Sequence, residues 1–184
     1  NKTEQKEDLI VGEWFPLNTS KTGLSSGYTF TAGGNFTAVS GAYVVFKYKH
    51  EGDTLIMTMP GDEQEVKQKI ELTDTKLSLS QTGPDKVTVK VTELTRVSGD
   101  SKTGIIGKWT GDHPSGSKQT MYFTPELDQY FSLSMRSNEG TYKIKGNTLE
   151  LIGLEFNCQW SVDGDTLTLK IMDDEKTELK FVRF

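Results

Sequence analysis

Ile10-Val11-Gly12-Glu13-Trp14 returns as Ile105-Ile106-Gly107-Lys108-Trp109, 95 positions later. Further matches follow in the same order. Tyr28-Thr29-Phe30-Thr31 answers Met121-Tyr122-Phe123-Thr124, and Asn35-Phe36-Thr37 answers Tyr130-Phe131-Ser132. Gly41-Ala42-Tyr43-Val44 parallels Gly140-Thr141-Tyr142-Lys143, and Gly52-Asp53-Thr54-Leu55 parallels Gly146-Asn147-Thr148-Leu149. Thr75-Lys76-Leu77-Ser78-Leu79 then matches Asp165-Thr166-Leu167-Thr168-Leu169, and each copy closes on an apolar strand carrying an arginine, Arg96 or Arg183. A fixed order of self-similar blocks is the signature of a tandem repeat. The expected organisation is a disordered leader over 1–8, which has no apolar residue, a first unit over 9–97, a polar linker over 98–103 and a second unit over 104–184.

Within each copy, apolar residues alternate with polar ones, as half-buried strands require. Leu55, Met57 and Met59 share one face, as do Leu167, Leu169 and Ile171. Gly33-Gly34-Asn35, Glu51-Gly52-Asp53, Lys145-Gly146-Asn147 and Asp163-Gly164-Asp165 supply tight turns. No stretch sustains a helical period; only the turn before each Gly-x-Trp reads as briefly helical. The count is about eight strands per copy. The predicted fold is all-β: two tandem small antiparallel up-and-down meander barrels, closed so as to remove their edges. One large barrel using all 184 residues is the rival topology. Duplication of both the opening tryptophan and the closing arginine argues against it.

Composition fits this reading and narrows the chemistry. Glycine is frequent, at 18, and hydrophobic residues make up only 34%, which suits two small cores better than one large one. The net charge is −5, with 11 basic against 14 acidic residues up to position 100 and 10 against 12 beyond it. Neither half carries the basic footprint of a nucleic-acid binder. No apolar run approaches the roughly 20 residues that cross a bilayer, so no transmembrane segment is expected. Cys158 is the one cysteine and His50 and His113 are the two histidines. That supply excludes intrachain disulfides and multi-cysteine metal sites, and leaves nucleophile–base schemes short of parts. Cys158 reads as a small buried side chain or free thiol, and His113 as a solvated loop residue. Asp173-Asp174-Glu175 lacks the alternating spacing of a calcium loop and reads as a solvated tip. The expectation is no enzyme, no cofactor and no metal.

The two Gly-x-Trp openings, with Arg96 and Arg183 on the closing strands, resemble the lipocalin-like (calycin) superfamily, especially its short bacterial domains in exported proteins. The resemblance implies that Trp14 and Trp109 plug the closed barrel ends, with Arg96 and Arg183 packed across the indoles as structural pairs. Cation–π attraction together with hydrogen bonds from the guanidinium fork would hold such a pair. It implies turns at that end and longer loops at an open mouth: 15–27, 60–65 and 80–86, then 110–118, 134–140, 152–158 and 172–176. Phe36 with Tyr43, and Phe131 with Tyr142, point partly inward by alternation and either line a ligand or fill the core. Leu154 and Phe156 are apolar for a loop; they cap the mouth, pack the units together, or contact a ligand or partner. The expected function is a non-enzymatic extracytoplasmic protein binding a small apolar or amphipathic ligand. The alternative is a protein-interaction module, a protease inhibitor or surface-assembly component, acting on an unidentified protein partner through the mouth loops. The superfamily's exported members imply a secreted, periplasmic or lipid-anchored location, the anchor being an N-terminal cysteine of the precursor.

Overall fold

The computed structural model describes residues 8–20, 22–59, 61, 64–82, 88–171 and 177–184. Fourteen strands occur in chain order: β1 Gly12–Pro16, β2 Leu24–Phe30, β3 Asn35–Glu51, β4 Thr54–Thr58, β5 Glu65–Leu72, β6 Lys76–Thr82 and β7 Thr88–Ser98. Then come β8 Gly107–Asp112, β9 Lys118–Phe123, β10 Asp128–Lys145, β11 Thr148–Ile152, β12 Phe156–Asp163, β13 Thr166–Ile171 and β14 Glu178–Arg183. The expected brief helicity before each Gly-x-Trp is present, as a helical turn at residues 8–10 and a 3-10 turn at Ser101–Thr103. Among the described residues no helix is long and apolar enough to cross a membrane.

The all-β expectation holds, but two separate barrels are not seen. Each strand pairs antiparallel with its neighbours in sequence and β1 pairs with β14, giving one fourteen-strand meander. The departure arises at β3 and β10, which have 17 and 18 residues, about three times the usual strand length. A loop was expected at 134–140, yet those residues lie inside β10. The same step in the first copy, at Gly41-Ala42, lies inside β3. Each stretch contains a single glycine without the Asn-Gly or Asp-Gly pair that closes a two-residue hairpin, so the strand runs on.

The strands gather into two compact units that cut across the sequence repeats. Unit 1 is the chain up to Ala42 together with Met135–Phe184, and unit 2 is Tyr43–Ser134. Unit 1 therefore holds β1, β2, the first half of β3, the second half of β10 and β11–β14. Unit 2 holds the second half of β3, β4–β9 and the first half of β10. Each has eight strand segments, but neither matches 9–97 or 104–184. The expected linker 98–103 falls within unit 2, where Asp100 Oδ1 caps the 3-10 turn by accepting from the Lys102 amide at 2.9 Å. The leader to Glu7, like Asp173-Asp174-Glu175, lies outside the described residues.

Each unit has its own core, built from alternate positions. In unit 1, Ile10, Trp14, Phe30, Phe36, Leu149, Leu151, Leu167, Leu169 and Phe181 are buried together. In unit 2, Tyr48, Leu55, Ile70, Leu77, Leu79, Leu94, Trp109 and Phe123 do the same. The strand pattern is direct: Leu55 and Met57 of β4 are buried between half-buried Thr54, Ile56 and Thr58.

Candidate functional site

The glycine of each Gly-x-Trp is dictated by the backbone, with φ of +141° at Gly12 and +125° at Gly107, where other residues are strained. Two residues on, each tryptophan enters its core, Trp14 at 1% and Trp109 at 0% exposure. Each indole N–H donates to the carbonyl four residues earlier, Trp14 to Ile10 at 2.6 Å and Trp109 to Ile105 at 2.8 Å. A guanidinium covers each ring, as the arginine–tryptophan reading requires. The partners are crossed between the copies. Arg183 lies over Trp14, 4.5 Å from the ring centroid, and Arg96 lies over Trp109 at 4.1 Å. Pairing within a copy, Trp14 with Arg96 and Trp109 with Arg183, is thereby corrected. The backbone registers agree: Trp14 stands opposite Arg183 and Trp109 opposite Arg96.

The aromatic candidates separate in the same way. Phe36 and Tyr142 meet in unit 1 around Phe30, whose ring centroid lies 6.3 Å from Phe36 and 5.2 Å from Tyr142. Both are core residues, and the Tyr142 hydroxyl donates to the Thr31 carbonyl at 2.8 Å. Phe36 also rests against the bare Cα of Gly140, where a Cβ would come within 2.7 Å of its ring and 2.3 Å of the Ile152 carbonyl. Tyr43 is buried in unit 2, apart from Phe36. Phe131 is partly buried in unit 2, edge-on to Phe46 at 6.4 Å. Tyr48, which the sequence reading passed over, repeats the Tyr142 arrangement: its hydroxyl donates to Thr124 at 2.9 Å and its ring stands edge-on to Phe123 at 5.1 Å. Its signal is the turn spacing, since Tyr48 precedes Gly52 and Tyr142 precedes Gly146 by the same four positions. The Gly41–Gly140 match is thus a false register. Likewise the counterpart of Phe36 is Gln129, because Phe36 stands opposite Phe30 and Gln129 opposite Phe123.

At the end of unit 1 remote from Trp14, the turn between β11 and β12 carries Leu154 and Phe156. Glu150–Asn157 border an open groove of about 550 Å³. Ile152 and Leu154 are exposed there, while Phe156 leans onto the core. Glu155 holds a left-handed φ of 50°, unusual for a residue other than glycine. A second recess of about 370 Å³ lies at the opposite end, bordered by Val11, Ala32, Tyr142 and Lys143.

The titratable candidates have local roles. His113 Nδ1 accepts from the Ser115 amide at 3.2 Å and lies 2.8 Å from its hydroxyl, within the loop between β8 and β9. His50 bonds the Gly52 carbonyl at 2.9 Å. Cys158 is fully buried in the unit 1 core, and burial pushes its thiol up to about 12. A thiol so placed stays protonated and out of reach of solvent reagents. Among the described residues no group of three or more His, Cys, Asp or Glu side chains is placed to hold a metal ion. Comparison of the chain with protein-family models, curated proteins and solved structures finds no match.

Proposed function

We propose that the chain is a non-enzymatic extracytoplasmic binding protein of lipocalin-like type, and that it takes a small amphipathic ligand at the β11–β12 end of unit 1. The observation that carries the binding site is the open groove where Leu154 and Ile152 stand exposed beside Phe156. Glu150 and Glu155 at its border favour a ligand whose polar head donates hydrogen bonds or carries positive charge. The lipocalin-like reading draws support from the doubled arginine–tryptophan stack. The extracytoplasmic location rests on that resemblance alone. Phe36 and Tyr142 fill the unit 1 core, one of the two readings open to them, so the ligand is placed at the rim.

Titration with a dansyl-labelled alkylamine tests the reading, with native mass spectrometry to count bound molecules. One probe per chain is expected, and Leu154→Asp weakens binding about tenfold by placing a carboxylate on the apolar wall. Equal binding by the variant, or none by either protein, rejects the groove. The protein-interaction alternative draws on Leu17 and Leu24, each 46% exposed near the same end. Under that alternative, the alkylamine stays unbound while Leu17→Asp and Leu154→Asp both abolish cross-linking to one envelope protein.

A further inference from the structure

The two units are built by reciprocal exchange between the repeats. Unit 1 joins β1, β2 and the start of β3 from the first copy to the end of β10 and β11–β14 from the second; unit 2 joins the complementary pieces. The arginine–tryptophan and tyrosine–carbonyl contacts at the Trp-bearing ends obey the crossing. Arg183 covers Trp14 and the Tyr142 hydroxyl reaches Thr31 in unit 1, while Arg96 covers Trp109 and the Tyr48 hydroxyl reaches Thr124 in unit 2. Backbone bonds match as well: the Tyr142 amide donates to Gly34 at 2.8 Å and the Tyr48 amide to Leu127 at 2.9 Å.

We infer that β3 and β10 are hinge strands, and that the same segments have a second closure in which each repeat folds back on itself. In that closure each hinge bends into a hairpin, β1 pairs with β7, and β8 pairs with β14. The partners gained and lost are equivalents: Arg96 replaces Arg183 over Trp14, and Arg183 replaces Arg96 over Trp109. Most of the free-energy difference then resides in the hinges, where a continuous strand competes with a two-residue turn. The first hinge stands one substitution from the strongest hairpin signal and the second stands two. Ser40 precedes Gly41, so S40N installs asparagine before glycine; at the unit boundary Ser134 precedes Met135, so S134N with M135G does the same.

Cysteine pairs in the full chain, on a Cys158→Ala background, distinguish the closures. Thr95 stands opposite Thr110 in the observed register. Val182 is the equivalent of Thr95, one residue before the closing arginine. Adjacent antiparallel strands bring such positions within disulfide reach. With native hinges, oxidation is expected to link T95C to T110C and to leave T110C and V182C unlinked, as read by peptide mapping. Adding S40N, S134N and M135G is expected to raise the T110C–V182C yield about tenfold as the equilibrium shifts. The exchange is overturned if native hinges give the T110C–V182C bridge in equal yield. The hinge role is overturned if the hinge variant, folded by circular dichroism, still forms only the T95C–T110C bridge. Should that variant not fold, S40N alone carries the hinge test, with the same two outcomes.

Discussion

Position for position, the two units share a plan and differ in what fills it. Phe36, fully buried in unit 1, is matched in unit 2 by Gln129, also fully buried and with neither amide atom hydrogen-bonded among the described residues. Cys158, opposite Leu149, is matched by Gln68, opposite Leu55; the Gln68 Oε1 is buried without a partner among the described residues. Unit 2 also buries Gln119 and Thr92, whose side chains meet at 3.5 Å. The clamps differ in the opposite sense. Arg96 donates to the carbonyls of Asp74, Gly104 and Ile106 at 2.7, 2.6 and 3.0 Å. Arg183 donates to Leu9, and its buried Nε has no partner among the described residues. Unit 1 thus has the more apolar interior and unit 2 the better-held lid. The closure is common to both, while the remaining interior positions tolerate very different chemistry.

Four substitutions or titrations test that contrast. The largest effect should be shared: Trp14→Ala and Trp109→Ala each cost about 4 kcal/mol, the range for deleting a fully buried tryptophan. Urea unfolding should give similar losses; a variant losing under about 1 kcal/mol would show that its unit does not depend on the plug.

Next comes alkaline instability, centred on unit 1. The folded Cys158 thiol is raised from 9.0 to about 12, so folding favours its neutral form. The stabilisation is complete below pH 9 and is lost as pH climbs towards 12, because the unfolded thiol ionises first. At pH 10.5 the loss is about 2 kcal/mol, and Cys158→Ala should remove that portion of the slope. Burial and the neighbouring thiol raise Tyr28 as well, so part of the slope should remain. Identical pH profiles for wild type and Cys158→Ala would contradict the assignment.

The clamps rank third. Arg96→Ala should cost about 2 kcal/mol and Arg183→Ala about 1, since more charge-assisted bonds are lost in unit 2. Equal melting-temperature shifts would erase the distinction. Smallest is a gain: Gln129→Leu should raise stability by about 1 kcal/mol by removing an unpaired buried amide. A loss at that position would mean the amide is satisfied in solution.

Much of this was legible in the sequence. Alternation located the strands, Gly52, Gly146 and Gly164 fell in turns, and the two tryptophans and two arginines were identified as clamps. Which arginine meets which tryptophan was not legible, for a physical reason. Arg96 and Arg183 occupy equivalent places on equivalent strands, so local pattern favours neither partner. The choice is made inside β3 and β10, whose single glycines, Gly41 and Gly140, composition reads as strand breaks and the structure keeps extended. That misreading also hid Tyr48 and paired Phe36 with Phe131 instead of Gln129. The groove was legible only as two apolar loop residues, Leu154 and Phe156; its shape depends on how the β11–β12 turn is held.

The continuity of β3 and β10 also orders events on the ribosome. All of unit 2 lies in one uninterrupted stretch, so its strands are complete once Ser134 has emerged. Unit 1 is assembled from both ends, and β1 cannot meet β14 until Arg183 has been made. Throughout that interval β1 lacks its β14 partner, and its hydrogen-bonding edge is open to β7 of its own repeat or to a neighbouring nascent chain.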